Sequence, residues 1–428
     1  MKARASESEG SGSAEDTPSV LVAQLGARMH YAVPRILHEA GMLHRLYTDA
    51  YARSLGVRWL SHLPESVLPE PAVRLLDRVP HGVPDERIMS FPRLGLWYAW
   101  SLYTASSQAQ RLKTFLSGGT AFTERIIETN PQDVSGVYAF NTAGLELLRW
   151  AQDRGVMAIM EQTIAPAELE HRLLREEHEA HPSWQSPPDD NPFLSRQMQR
   201  EQAEWTEADL ILCGSSFVKE GIETCDGPHD RCAVVPYGID LEKFEACRQK
   251  EPHDPIRVLT AGAMGLRKGT PYVLEAARRL QGEAQFRLVG SLNDVKPEAR
   301  AKLSESTLLL GQVPRSEMLN HYAWADVFLL PSICEGSATV TYEALASGLP
   351  VICTPNTGSI VRDEREGFIV PIRSVDAIAE SIDTLVRNPT TYRQMSHRAR
   401  RRAREVGGMR TYAHRLTESV RRACNGIK

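Results

Sequence analysis

Two glutamates, Glu335 and Glu343, stand eight residues apart in a stretch of mostly small and apolar residues. Eight residues make roughly two turns of an α-helix, so both carboxylates can face one cleft at different depths. A carboxylate accepts hydrogen bonds from two hydroxyl groups at once. The two acids therefore suit a ligand that presents hydroxyl groups at two separate places.

The residues around these acids predict an anion site. Ser337, Ala338 and Thr339 begin a helical pattern, and the free backbone N–H groups of a helix N-terminus favour a phosphate. Arg267 and Lys268 precede a second predicted helix and could supply the cations that a diphosphate needs. A ligand with hydroxyl groups on both sides of a phosphate fits this arrangement. A nucleotide sugar has that layout.

The surrounding pattern predicts the elements that hold these residues. Val327–Leu330 is a short apolar run without polar alternation, as expected for a strand buried on both faces of a parallel sheet. Helical spacing follows from Ser337 and stops at residues 348–350, and Val351–Cys353 reads as a second strand. The order is strand, loop, helix, strand.

This stretch resembles the E-x7-E element of retaining glycosyltransferases of family 4, which have the GT-B fold. The matching positions stand in that family's order and spacing: Gly336, residues 343–351, Gly358 and residues 367–371. The resemblance implies two doubly wound, Rossmann-like α/β domains that face each other across a cleft. It also implies that Glu343 binds the ribose hydroxyls and that Glu335 lies against the donor sugar.

The resemblance covers the diphosphate and the base as well. In the family a Gly-Arg element followed by Lys-Gly binds the diphosphate; Lys268 matches the lysine, Ala263 stands at the arginine position, and Arg267 could replace that cation. Family members hold the base largely by main chain, which makes Val313 a candidate base contact. The first loop of the fold faces the donor, so Gly26 is a further candidate donor contact.

Glu335, Lys268 and Gln162 are the predicted catalytic residues. Many family members have a histidine near the donor sugar where Gln162 stands, and an amide cannot exchange a proton near neutral pH. The resemblance implies attack on the face from which the phosphate leaves, with that phosphate accepting the acceptor's proton, so no side-chain base is required. Lys268, Arg267 and the helix amides would hold the charge of the leaving group.

The first strand, at residues 19–25, is followed by a glycine turn and a helical pattern, which opens a doubly wound half. Arg28 and His30 follow that turn and are candidates to contact the acceptor or a phosphate, with a surface role as the alternative. Further on, Trp97, Trp100 and Tyr103 repeat at roughly helical spacing. Packing on the core is the favoured interpretation of these aromatic residues, and an acceptor site or a membrane surface are the alternatives.

A chain of 428 residues exceeds what one core usually supports, so two domains are predicted. Residues 245–255 are polar and contain proline, which marks the boundary. The predicted division is a disordered tail at 1–17, an acceptor-binding domain at 18–250, a nucleotide-sugar-binding domain at 251–405 and a helix at 406–428. The resemblance implies that this helix crosses back to the acceptor-binding domain.

Composition limits the partners. A net charge of −4 gives no sign of a nucleic-acid partner. An apolar run of 18 residues and a signal-peptide core are both missing from the sequence, which predicts a cytoplasmic location. The basic excess from Arg393 to the end leaves a peripheral contact with the inner face of the membrane open. The sequence contains no D-x-D triplet, so no metal and no cofactor are predicted.

The predicted function is retaining, metal-independent transfer of a sugar from a nucleotide-diphosphate sugar to an acceptor hydroxyl on a glycan, a lipid or a small molecule. One alternative keeps the fold and changes the reaction to that of a nucleotide-sugar hydrolase or epimerase. A second alternative is a non-catalytic nucleotide-sugar-binding protein, which Ala263 and Gln162 favour. The base, whether UDP, GDP or ADP, and the oligomeric state stay open.

Overall fold

The computed structural model describes residues 17–54, 57, 62, 67, 70–188, 190–244 and 251–426. Its strands form two sheets, and every paired strand runs parallel to its neighbours. In chain order the strands are β1 Val20–Gln24, β2 Leu43–Thr48, β3 Ile88–Ser90, β4 Gly136–Phe140, β5 Met157–Gln162, β6 Leu210–Cys213, β7 Cys232–Val234, β8 Ile256–Ala261, β9 Ala284–Val289, β10 Leu308–Gly311, β11 Val327–Leu330, β12 Val351–Cys353 and β13 Gly367–Ile369.

The first sheet has the order β3-β2-β1-β4-β5-β6-β7 and the second the order β10-β9-β8-β11-β12-β13. Helices connect the strands, as parallel pairing requires. In chain order they are α1 Ala32–Glu39, α2 Glu70–Leu76, α3 Pro92–Thr104, α4 Gln108–Glu128, α5 Leu145–Gln152, α6 Ala167–Ala180, α7 Pro192–Glu207, α8 Ser216–Thr224, α9 Thr270–Arg279, α10 Pro297–Ser306, α11 Met318–Trp324, α12 Thr339–Ala346, α13 Val375–Arg387, α14 Pro389–Arg402 and α15 Met409–Asn425.

Both faces of each sheet are buried along its central strands. In β1, Leu21 packs into the apolar cluster on one face, whereas Val20 and Val22 pack into the cluster on the other. All four side chains of β11 are fully buried in the same alternating way. The prediction of doubly wound α/β units with strands buried on both faces is therefore confirmed.

Trp97, Trp100 and Tyr103 of α3 do not pack on the core. The helix contacts the rest of the protein through its other face, where Gly95 lies against Ala50 and Gly118 of α4 lies under the Tyr98 ring. A Cβ atom at Gly95 would lie 2.8 Å from the Cβ of Ala50, so the two elements are in close contact. Trp97 and Trp100 point away from this contact and are 45% and 65% exposed. The interpretation of a core-packed aromatic face is wrong.

We call the first sheet with its helices the first unit, and the second sheet with its helices the second unit. The last helix, α15, contacts the first unit. The N–H of Ile239 donates to the carbonyl of Gly407 at 2.8 Å, and Arg415 donates to the carbonyl of Pro236 at 2.7 Å. The rings of Tyr237 and Tyr412 meet edge to face at 6.0 Å. Residues 1–16 of the predicted tail and residues 245–250 of the predicted boundary lie outside the described residues.

A search of the described residues finds no helix with the length and apolar character that crossing a bilayer requires.

Candidate active site

Two loops of the second sheet lie side by side at its carboxyl edge. β8 pairs with β11, so the loop after β8 (residues 262–269) meets the loop after β11 (residues 331–338). The N–H of Ile333 donates to the carbonyl of Arg267 at 2.9 Å and joins the two loops. This pairing brings the predicted cations to the predicted carboxylate.

Glu335, Lys268 and Arg267 form one ionic cluster. The Oε1 atom of Glu335 lies 2.7 Å from Nζ of Lys268 and 2.9 Å from Nη1 of Arg267. Only about a tenth of the Lys268 and Glu335 side chains is exposed, so solvent screens this attraction weakly. Burial lowers the pKa of Lys268, and Glu335 opposes that shift. Burial also disfavours charge on Arg267, but Glu335 and Glu170 together raise its pKa.

Gly262 makes room for the lysine. A Cβ atom at this position would lie 3.0 Å from Cε of Lys268, and the backbone φ of +128° favours glycine. The aliphatic part of Lys268 therefore crosses directly over the Gly262 backbone toward Glu335. Ala263, next in the loop, is exposed and brings no charge to the cluster.

Glu343 lies on α12 and belongs to a second polar cluster. The hydroxyl of Tyr322 donates to its Oε2 at 2.8 Å, and Nη2 of Arg315 lies 3.3 Å from its Oε1. Nη1 of Arg315 lies 3.2 Å from Nε2 of His30, which belongs to the first unit. One oxygen of Glu343 is thus fixed by a buried tyrosine, and the other faces an exposed arginine that links the two units.

The predicted amide site holds only in part. Helix α12 begins at Thr339, and the N–H of Ala338 donates to the carbonyl of Thr357 at 3.2 Å. The Ala338 amide is therefore engaged and is not free for a phosphate, which corrects the prediction for this residue. The Ser337 hydroxyl lies 2.8 Å from the hydroxyl of Tyr342.

The loop that carries Glu335 also contacts the first unit. A Cβ atom at Gly336 would lie 2.1 Å from the carbonyl oxygen of Thr163, so this close approach requires glycine. The Ser215 hydroxyl donates to the carbonyl of Gly336, and the N–H of Ala165 donates to the carbonyl of Glu335 at 3.3 Å. Arg28 reaches the same place, since its Nη1 donates to Oγ1 of Thr163 at 2.7 Å.

Gln162 does not fit the catalytic role predicted for it. The residue is fully buried, and its Nε2 donates to Glu201 at 2.6 Å and to the carbonyl of Ile164 at 3.1 Å. Its Oε1 accepts from the indole N–H of Trp205 at 3.0 Å. Both ends of the amide are engaged within the first unit, so Gln162 supports the fold beneath the cleft and does not face a donor sugar.

Gly26 and Val313 lie in loops at the edges of the two sheets. The N–H of Gly26 donates to Oδ1 of Asp49 at 3.0 Å, so this amide is engaged as well. Space for a Cβ atom at Gly26 is open. Val313 is partly buried between β10 and the short helical turn that carries Arg315.

Three residues of this region were not predicted. Tyr322 comes from α11 and Arg315 from the turn before it, and only tertiary contacts bring them to Glu343. Glu170, in the first turn of α6, lies within electrostatic reach of Arg267 and Glu335, and burial raises its pKa. For Arg315, the glycine and proline of the preceding turn were the available sequence signal. The sequence contains no signal that distinguishes Tyr322 or Glu170 from their neighbours.

The described residues contain no group of three or more His, Cys, Asp or Glu side chains that could hold a metal ion. Metal independence stays a prediction.

Comparisons with known proteins bear on the sequence family and the fold. Residues 243–402 match the family model of the glycosyl transferases group 1. The chain is 27% identical over 191 residues to the amylovoran biosynthesis glycosyltransferase AmsK of Erwinia amylovora, covering 41% of this chain and 47% of that protein. It is 31% identical over 178 residues to the UDP-Gal:alpha-D-GlcNAc-diphosphoundecaprenol alpha-1,3-galactosyltransferase of Escherichia coli, covering 37% and 45%. The chain spans about half the length of the curated relatives it matches.

The structural likeness extends over nearly the whole chain. The solved structure of Alr3699/HepE from Anabaena, in complex with UDP, matches with a TM-score of 0.63 at 14% identity, covering 94% of this chain and 99% of that one. At this identity the likeness shows the fold. The chain therefore has the GT-B fold, and residues 243–402 match the glycosyl transferases group 1 model.

Proposed function

We propose that this protein is a retaining glycosyltransferase that moves a sugar from a nucleotide-diphosphate sugar to an acceptor hydroxyl without a metal ion. One observation carries the proposal: Lys268 and Arg267 converge on Glu335 at the edge of the second sheet, within the region that matches group 1. Two cations with one carboxylate leave an excess of positive charge for a diphosphate. Glu343 lies on the adjacent helix, α12, where it suits a ribose.

The reaction needs no further charged group. The bond from the anomeric carbon to the β-phosphate oxygen breaks, and the acceptor oxygen forms a new bond to that carbon on the same face. The departing phosphate oxygen takes the proton of the acceptor hydroxyl. Lys268 and Arg267 stabilise the charge that develops on the phosphate, and Glu335 positions both cations and the sugar.

The first donors to test carry uridine. Alr3699/HepE of Anabaena was solved with UDP, and the E. coli relative uses UDP-Gal and a lipid-linked acceptor. These names support UDP-sugars as donors and a sugar on a lipid carrier as one acceptor class. GDP- and ADP-sugars complete the panel.

Thermal stabilisation by each nucleotide sugar, measured with and without EDTA, tests donor binding because a ligand of the folded state raises its melting temperature. Transfer to an acceptor panel follows, with the anomeric configuration of the product read by NMR. We expect retention, and loss of at least about a hundredfold in kcat for Lys268→Ala, the size typical of removing one group that stabilises transition-state charge.

Lys302→Ala on α10 is the matched control, since this lysine is exposed on the second unit. Inversion of configuration, or full turnover by Lys268→Ala, would overturn the proposed mechanism. Donor binding without transfer to any acceptor would favour the non-catalytic alternative.

A further inference from the structure

Helices α3 and α4 expose a group of apolar side chains that the proposed reaction does not use. Trp100 and Tyr103 are 65% and 59% exposed, Leu96 47%, Trp97 45% and Phe115 40%. We call these five residues the aromatic surface. Among the described residues, the large exposed aromatic side chains all belong to it, whereas exposed aliphatic side chains such as Leu308 and Val386 lie elsewhere. Exposed apolar side chains that cluster mark an interaction site more often than exposed apolar side chains that are scattered.

The four exposed apolar residues of α3 in this surface share one side of the helix. At about 100° per residue, Tyr103, Leu96, Trp100 and Trp97 fall within an arc of about 120°. Exposed Arg93 falls inside the same arc. The rings of Trp100 and Tyr103 lie 6.1 Å apart. The opposite side of α3 is occupied by the contact of Gly95 with Ala50, so the helix is fixed in the orientation that exposes these rings.

The segment of sequence that carries this surface has charges of one sign. Residues 87–123 contain four basic residues and no Asp or Glu, although the whole chain has a net charge of −4. The basic residues are Arg87, Arg93, Arg111 and Lys113. Trp and Tyr rings prefer the boundary between lipid headgroups and acyl chains, and Lys and Arg are attracted to anionic headgroups. A protein partner would equally cover apolar rings, but a basic and aromatic composition without acids complements an anionic bilayer best.

Helix α3 starts beside the cleft. β3 ends at Ser90 and α3 begins at Pro92, so the helix starts at the carboxyl edge of the first sheet. β1 and β5 end at the same edge because all strands of the sheet are parallel, and Arg28 and Thr163 lie there. A membrane against α3 would therefore face the half of the cleft that belongs to the first unit.

We propose that the aromatic surface docks this protein on the interface of an anionic lipid bilayer, with the rings of α3 among the headgroups and Arg93 paired with lipid phosphates. The docking is peripheral. It requires neither donor nor acceptor, so its test is separate from that of the proposed transfer.

Sedimentation of the full chain with vesicles provides the test, using phosphatidylglycerol mixed with phosphatidylcholine, and phosphatidylcholine alone. We expect binding to the mixed vesicles that weakens as salt rises. Trp97→Ser with Trp100→Ser should weaken binding about a hundredfold, because each of the two buried rings contributes about a tenfold factor. Arg93→Ser should weaken it about fivefold on anionic vesicles.

Leu308→Ser and Val386→Ser are matched controls, since both residues are exposed apolar side chains of the second unit, and they should bind like the parent. Circular dichroism checks that each variant is folded. Absence of binding to anionic vesicles, or equal loss in the controls, would overturn the proposal. So would analytical ultracentrifugation that shows a parent dimer dissociated by the tryptophan variants, because the occupant would then be a second copy of this chain.

Discussion

At the scale of single residues, the two carboxylates of the sequence motif have different surroundings. Glu335 meets two cations, whereas Glu343 meets one hydroxyl and one exposed guanidinium. The first arrangement leaves an excess of positive charge where a diphosphate is expected. The second leaves the carboxylate available to accept hydrogen bonds from ligand hydroxyls, because Arg315 is exposed and can move aside. The spacing of the motif thus places one carboxylate against cations and the other where it can bind hydroxyl groups.

Tyr322 is expected to position Glu343 for the ribose. Its hydroxyl donates to the carboxylate, and burial raises the tyrosine pKa well above its usual value, so the donor proton stays in place. Tyr322→Phe removes a hydrogen bond to a charged group, worth about 1.5–3 kcal/mol. We expect nucleotide affinity to fall about tenfold, measured by calorimetry with the nucleoside diphosphate that stabilises the parent. Tyr392→Phe, another buried tyrosine, is the control, and equal affinities in both variants would contradict this role.

Glu170 is expected to oppose donor binding. It lies near Arg267 and Glu335, so its charge competes with a diphosphate for the same cation. Glu170→Gln should therefore strengthen nucleoside diphosphate binding by about two- to fivefold, the size of one partly screened charge interaction. Glu168→Gln is the control because this residue is exposed on the same helix. A weaker affinity in Glu170→Gln would show that Glu170 supports the site.

At the scale of elements, the sequence patterns predicted the buried strands well. β11 and β12 have the predicted ends, because each is a continuous apolar run bounded by proline or a polar residue. β2 and β3 were not predicted, since β2 contains His44 and Arg45 and β3 has only three residues within a region rich in proline. Short strands at a sheet edge depend on pairing with a neighbour more than on their own pattern.

The candidate site was predictable where one motif carries it and unpredictable where separate elements meet. Glu335 and Lys268 follow from motif positions, and the structure brings them within 2.7 Å. Tyr322 reaches Glu343 only because α11 packs beside α12, which no local pattern encodes. The exposure of Trp100 was missed because helical spacing shows which residues share a face and not what covers that face.

Glu146 links three helices of the first unit through an ion pair. It lies on α5, accepts from Thr123 of α4 at 2.7 Å and pairs with both Nη atoms of Arg200 on α7 at 2.6 and 2.7 Å. Burial alone would raise its pKa, but the hydrogen bonds from Arg200 lower it from 4.5 to about 2. The folded state therefore binds a proton less readily than the unfolded state. The resulting stability is present above pH 4.5 and is lost as pH falls toward 2.

Glu146→Gln should lower the free energy of unfolding by about 2–3 kcal/mol at pH 7. The difference from the parent should shrink as pH falls from about 4.5 toward 2. Urea unfolding at a series of pH values measures both. Glu128→Gln is the control, since its pair with Arg125 is largely exposed, and it should follow the parent throughout. A constant difference at all pH values would mean that packing, and not the ion pair, carries the effect.

At the scale of the whole molecule, the two units touch at several places besides the pair of Arg315 with His30, and three of these contacts bear on domain closure. One contact lies at Gly336 and Thr163, within the cleft, and a second runs along α15. The third is formed by the end of α6 against the second unit, where Glu177 is fully buried. Its carboxylate accepts from the hydroxyl of Tyr272 at 2.9 Å and from Nε of Arg373. If the two units close over a ligand, the hydrogen bonds of this third contact must either all be kept or all be broken.

Arg373→Gln tests the third contact. Arg373 also pairs with Glu176 at 2.8 Å. Its loss leaves the buried carboxylate of Glu177 with one partner, the hydroxyl of Tyr272. Removing one partner of a buried ion pair costs about 3–5 kcal/mol, and about 2 is expected here because Arg373 is partly exposed. If the contact holds the units together, the variant should also have a larger radius of gyration in solution scattering and a larger loss in kcat than in donor affinity.

Arg393→Gln is the matched control for this contact. Its pair with Glu251 lies within the second unit and is exposed, so its loss should change unfolding by less than about 1 kcal/mol and leave the radius of gyration unchanged. The loss of stability in Tyr272→Phe should lie between those of Arg373→Gln and Arg393→Gln, because this variant removes the hydroxyl and keeps the ion pair. If Arg373→Gln lost stability but kept the parent's radius and turnover, the contact would be a local stabiliser of α6 and closure would depend on the contacts at Gly336 and α15.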